Sequence, residues 1–95
     1  MPKVRVPRKN VTPNELVTVL SHRLGAGYQV ASNGAGRVTV RTSPLRYANV
    51  SIAATHGASV FRVHGGGLLL RAANTLGTAR RVADALRRSP EFHSL

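Results

Sequence analysis

His56 and His64 come nearest to reactive chemistry in this sequence, because they flank a stretch that reads as a hairpin and could approach one another across it. Two imidazoles fall short of the three protein ligands that a catalytic zinc requires, and the chain has no cysteine to complete a set. The three acids, Glu15, Asp84 and Glu91, are scattered along the sequence, so no carboxylate pair is offered for hydrolysis or for a two-metal site. His64-Gly65-Gly66-Gly67 has the letters of an oxyanion loop, but no Gly-x-Ser-x-Gly elbow accompanies it, and the glycines do not precede the Lys-Ser/Thr of a phosphate loop. This run reads as a turn. The sequence therefore predicts a protein that is not an enzyme, with no catalytic residue, no metal site and no cofactor.

What the residues offer instead is positive charge. Fourteen Lys and Arg stand against three acids, a formal net charge of +11, and twelve of the fourteen are Arg. A field of that size draws polyanions and speeds association with them. Guanidinium groups suit bidentate contacts to phosphate or guanine, although a GC-rich coding sequence accounts for an Arg bias equally well. Three groups of cations are candidate nucleic-acid-binding residues. Arg80, Arg81, Arg87 and Arg88 fall on one side of a predicted helix, with Asp84 among them. Arg37, Arg41 and Arg62 alternate outward along predicted strands, beside Thr39, Ser51 and His64. Lys3, Arg5, Arg8 and Lys9 lie in a basic N-terminal arm over residues 1–10. The plainer reading of the helix group is a solvated face, with Arg80 and Asp84 as an ordinary pair four residues apart.

These residues must be held by elements, and the pattern of the chain supplies them. Thr12-Pro13-Asn14-Glu15 is a helix start, with Thr12 as cap, Pro13 at the first helical position and Glu15 placed to close a capping box. Leu16, Val17, Leu20 and Leu24 continue at helical spacing to a stop at Gly25, which predicts a helix over 13–24. From residue 27 the period becomes two. Strands are expected on both sides of the 33–36 turn, from Asn49 to Thr55 and from Ser59 to His64, with Ser43-Pro44 interrupting the series. Leu68-Leu69-Leu70 is either a short fifth strand or buried chain leading to the last helix. That helix begins near Asn74 or Thr75, runs to about Arg88 and is stopped by Ser89-Pro90. The expected fold is α+β: helix, antiparallel sheet of three to five strands, helix, in a single domain over 11–95 with both helices on one face of the sheet.

The element order, together with Arg80-Arg81-Val82-Ala83-Asp84 at the start of the last helix, resembles the double-stranded-RNA-binding domain, whose last helix opens with a Lys-Lys-x-Ala-Lys/Glu pattern. By that resemblance Arg80 and Arg81 correspond to the phosphate-clamping pair. The sequence departs from the family in lacking a Gly-Pro-x-His loop between the first two strands and in an extra strand before the last helix. In composition the chain is similar to small Arg- and Ala-rich proteins encoded by actinobacteria and their phages.

The expected partner is DNA or RNA. A duplex is favoured over a single strand, because sheets that bind single strands display stacking aromatics and only Tyr28 is a candidate to turn outward. The alternative is a protein-interaction module, such as a phage product that inhibits a host factor, which would use the open sheet face or a free edge on an acidic protein or in a homodimer. No apolar run follows the basic N-terminus, so neither a signal peptide nor a membrane span is expected. With no cysteine, a cytoplasmic location follows as the expectation.

Overall fold

The computed structural model describes residues 10–33 and 35–93. The arm cations Lys3, Arg5, Arg8 and Lys9 therefore lie outside the described residues. Helix α1 (Pro13–Leu24) starts as its local chemistry requires: Thr12 Oγ1 accepts the Glu15 N–H at 3.2 Å, and the Glu15 carboxylate accepts the Thr12 N–H at 3.3 Å. Leu16, Leu20 and Leu24 form its buried stripe.

Five strands follow, β1 (Gln29–Ser32), β2 (Arg37–Ser43), β3 (Arg46–Thr55), β4 (Ala58–Gly65) and β5 (Leu68–Ala73), each antiparallel to its neighbour in the spatial order β1-β2-β3-β4-β5. The leucine run after the glycines is thus a true fifth strand, at the edge of the sheet. Two of the turns are two-residue hairpins with both central residues at positive φ, His56-Gly57 (51° and 76°) and Gly66-Gly67 (59° and 78°), the geometry whose twist matches that of the strands. Glycine is needed most at Gly65, where φ is +110° and a Cβ would stand 2.6 Å from the Tyr47 carbonyl oxygen.

The interruption expected at Ser43-Pro44 is instead a tight turn through Pro44 and Leu45. A register shift between Arg41 and Ser43 absorbs it, and β3 begins at Arg46 rather than Asn49. Proline fixes φ at a value suited to the second residue of a turn, so it ends β2 without ending the sheet.

Helix α2 (Leu76–Arg88) is capped by Thr75, whose side chain accepts the Thr78 N–H, and a short α3 (Pro90–His93) follows. Val38, Val40, Ala48, Val50, Phe61 and Val63 point from the inner sheet face into one core with the α1 leucines and with Ala79, Val82, Ala83 and Leu86 of α2. Burial of each Val, Leu or Phe is worth roughly 1.5–3 kcal/mol, so packing on this face, and not the arginine-rich exterior of α2, holds the helices to the sheet. Phe92 closes the core at the β4–β5 turn, lying over Gly66, where a Cβ would meet its ring at 2.8 Å. Ser89 Oγ donates to the Gly66 carbonyl and Thr42 Oγ1 donates to the Phe92 carbonyl, which fastens α3 to that end. The architecture is α+β, with an open five-stranded sheet carrying both long helices on one face.

Candidate nucleic-acid interface

The sheet has a covered face and an open one, and alternation decides which residues reach each. Because Val38 and Val40 are fully buried, Arg37, Thr39 and Arg41 project to the open side; because Phe61 and Val63 are buried, Arg62 and His64 do too. The strand register then sets the open-face residues in rows. Arg37 pairs with Ser51, Ser51 with Arg62 and Arg62 with Arg71, so three arginines lie in one line across four strands. The next row is Thr39, Asn49, His64 and Leu69, in which Thr39 Oγ1 donates to Asn49 Oδ1 at 2.8 Å. The third row is Gln29, Arg41 and Tyr47. Successive rows are about 7 Å apart along the strands, and neighbours within a row are about 5 Å apart.

Residues 25–75, which hold the whole sheet, contain no Asp or Glu. Arg62 and Arg71 are directly opposite one another, an unfavourable placement for like charges, and no carboxylate on that face relieves it. The three acids all sit in helices, Glu15 in α1, Asp84 in α2 and Glu91 in α3.

The arginines of α2 form a separate surface. Arg80, Arg81, Arg87 and Arg88 are exposed on the side of α2 away from the core, and Arg81 reaches the β5 edge, where it lines a groove together with Arg71. The expected Arg80–Asp84 pair is not formed. Asp84 is instead held by Arg23 of α1, with Nε to Oδ1 and Nη2 to Oδ2 both at 3.0 Å. A guanidinium fork aimed from the neighbouring helix matches both carboxylate oxygens, which a residue one turn away on the same helix does less well. The hydrogen bonds from Arg23 hold the Asp84 carboxyl below its ordinary range, burial opposes this, and the charges of Arg23, Arg88 and Arg87 add to the lowering. The same pair raises the pKa of Arg23. Arg87 and Arg88 also occupy the last turn of α2, where cations complement the helix dipole. Part of this charge thus has a structural use.

The fold decides the placement of rings that the sequence left open. Tyr28 does not turn outward. It packs against the core, and its hydroxyl donates to His93 Nε2 at 2.6 Å, while His93 Nδ1 donates to the Ser89 carbonyl at 2.8 Å. The outward aromatic is Tyr47, 46% exposed, with the Arg41 guanidinium 5.2 Å from its ring centroid. His56 and His64, which the sequence leaves free to approach, stay apart, since His56 lies in the β3–β4 turn and His64 near the far end of β4; eight residues of extended chain span roughly 26 Å.

The structure therefore brings Arg37, Arg41 and Arg62 onto one face and adds Arg71, Tyr47 and Leu69, which reading the sequence did not place there. A Pro44-Leu45 turn pairing Ser43 with Arg46 would by itself have set Tyr47 opposite Thr42, and only the register shift between Arg41 and Ser43 brings it opposite Arg41. Treating Gly66-Gly67 as a hairpin turn would have set Arg71 opposite Arg62. Among the described residues, no three His, Cys, Asp or Glu side chains gather, and no helix is long and apolar enough to cross a membrane. No family model, curated protein or solved structure matches the chain.

Proposed function

We propose that this protein is a non-enzymatic nucleic-acid-binding module that holds phosphates on the open face of its sheet. One observation carries the reading: Arg37, Arg62 and Arg71 share a cross-strand row on a sheet that contains no carboxylate. Cations placed side by side without counter-charge repel one another, and a phosphate backbone removes that repulsion while releasing its own counterions. The α2 arginines are the weaker candidates, because Asp84 lies among them and the helix terminus uses two of them.

Binding of labelled DNA and RNA across a salt series tests this. Arg37, Arg62 and Arg71 changed together to Gln should weaken binding and flatten the dependence of log affinity on log salt by roughly 0.7–0.9 for each phosphate the variant no longer neutralises. The same change at Arg80, Arg81, Arg87 and Arg88 should do less. If the wild type binds neither nucleic acid at low ionic strength, or if only the helix variant loses affinity, the reading fails.

A second reading, a protein-interaction module, draws support from β5. This edge strand carries Leu69 at 81% and Leu70 at 41% exposure, and Leu70 lines a groove with Phe61, Val63, Ala72 and Val82 that Arg71, Thr78 and Arg81 also border. An exposed apolar edge is a template for an added strand. A pull-down from nuclease-treated host lysate separates the two: a stoichiometric acidic protein that survives nuclease favours the interaction module, and partners that vanish with nucleic acid favour the first reading.

A further inference from the structure

The three rows on the open face differ in kind. The first is cationic and the second mixes polar groups with His64 and Leu69. The third ends in the half-exposed ring of Tyr47. Tyr47 and His64 lie on adjacent strands as diagonal neighbours, since His64 is opposite Asn49, two residues along β3 from Tyr47; side chains of this size reach each other across such a diagonal.

The surroundings of the Tyr47 ring are unequal. On the β2 side Arg41 lies over it, itself held by a hydrogen bond from Nη1 to the Pro44 carbonyl at 3.3 Å. On the β4 side the ladder ends at the Ala48–Gly65 pair, and the chain turns through Gly66 and Gly67. The turn glycines carry no side chain of their own, while Phe92 lies over Gly66 and Glu91 and Ser89 pack against Gly67. One flank of Tyr47 is thus braced by a cation, and the residue remains half exposed.

A duplex keeps its base faces inside the stack and would offer this ring only sugar and phosphate. A single strand offers a π-face at every nucleotide, and proteins that bind single strands combine a basic track with aromatic platforms. From this geometry, and resting on the phosphate-binding reading above, we infer that the open face takes a single-stranded nucleic acid, with a base stacked on Tyr47 beside His64 and the backbone laid on the Arg37–Arg62–Arg71 row. Charge complementarity selects this occupant: the face carries four arginines and no acid, so a second copy of the chain or another basic protein is repelled from it. Arg41 is a positioning residue that braces the ring.

The test uses the whole chain and labelled DNA and RNA single strands of about 12 nucleotides, within the usual range for such sites, beside the matching duplexes. The single strands should bind more tightly than the duplexes. Tyr47→Ala should lose about 5- to 150-fold in single-strand affinity, the effect of one stacked base, with duplex affinity and salt slope unchanged, and Tyr47→Phe should restore it. The chain has no Trp and two Tyr, so in a Tyr28→Phe background tyrosine fluorescence reports Tyr47 alone and should be quenched when a single strand binds. Duplex binding at equal or greater affinity, with Tyr47→Ala neutral, overturns the single-strand inference and leaves the phosphate reading standing. Absence of binding to either form at low salt overturns both.

Discussion

Asn74 shows how much one side chain can organise. Its buried amide accepts the Val11 N–H at 2.8 Å and donates to the Val11 carbonyl at 3.0 Å and to Ser59 Oγ at 2.9 Å, while its backbone N–H donates to the Ser59 carbonyl at 3.0 Å. It therefore joins the segment before α1 to the start of β4, at the β3–β4 turn end of the sheet, where the chain leaves β5 for α2. Asn74→Ala leaves both backbone groups of Val11 without these partners in a buried setting. A loss on the order of 3 kcal/mol is expected, read as a lower urea midpoint with an unchanged slope. A wild-type midpoint would show that water or a shifted backbone satisfies Val11. At the opposite extreme is Arg71, whose position facing Arg62 is unfavourable for the fold. Arg71→Thr should raise stability by roughly 0.2–1 kcal/mol while weakening oligonucleotide binding. Gain of one with loss of the other separates a binding residue from a structural one.

At the scale of elements, α1 and α2 are clipped together by Arg23 and Asp84, and the clip is pH-sensitive in a stated direction. The folded carboxyl of Asp84 is held below its ordinary pKa, first by the hydrogen bonds from Arg23. Its contribution is complete above the unfolded carboxylate range and is lost as pH falls through the depressed folded value. Thermal melts of the wild type and Asp84→Asn should therefore differ at neutral pH, and the gap should begin to narrow below about pH 4 and close once pH has fallen through the depressed folded value. A gap that persists unchanged to low pH would mean that packing, and not the charge, is what the substitution removes.

The elements also show why some of the design is legible in the sequence and some is not. The start of α1 can be read directly, because Thr12 and Glu15 act on backbone groups three residues away. The amphipathic side of α2 is legible for the same local reason. Pro44-Leu45 is not, since a proline followed by an exposed leucine looks alike whether it ends a sheet or turns between two of its strands; the difference lies in pairing Ser43 with Arg46, which only the assembled sheet supplies. Without that turn, Arg46 to Ala48 have no strand to belong to and Tyr47 has no face. The partner of Asp84 is hidden differently. Arg80 is its neighbour in sequence, whereas Arg23 is 61 residues away and reaches it only after the helices have packed.

For the molecule as a whole, the question is where a net charge of +11 is felt. If it were spread evenly, stability would depend on the number of cations and not on their place. The structure puts Arg37, Arg62 and Arg71 in one row without a counter-ion, whereas the α2 arginines have Asp84 among them and a helix C-terminus to complement. Screening distances fall from about 10 Å at 0.1 M salt to about 3 Å at 1 M, shorter than the spacing within the row, so added salt should relieve the sheet face most. The wild-type Tm is expected to rise with sodium chloride. The triple Gln variant at Arg37, Arg62 and Arg71 should start higher and rise less. The quadruple variant at Arg80, Arg81, Arg87 and Arg88 removes more charge, yet should keep most of the wild-type salt dependence and gain little or nothing at low salt. If the quadruple variant instead flattens the dependence more than the triple, total charge governs and the row on the sheet has no special standing.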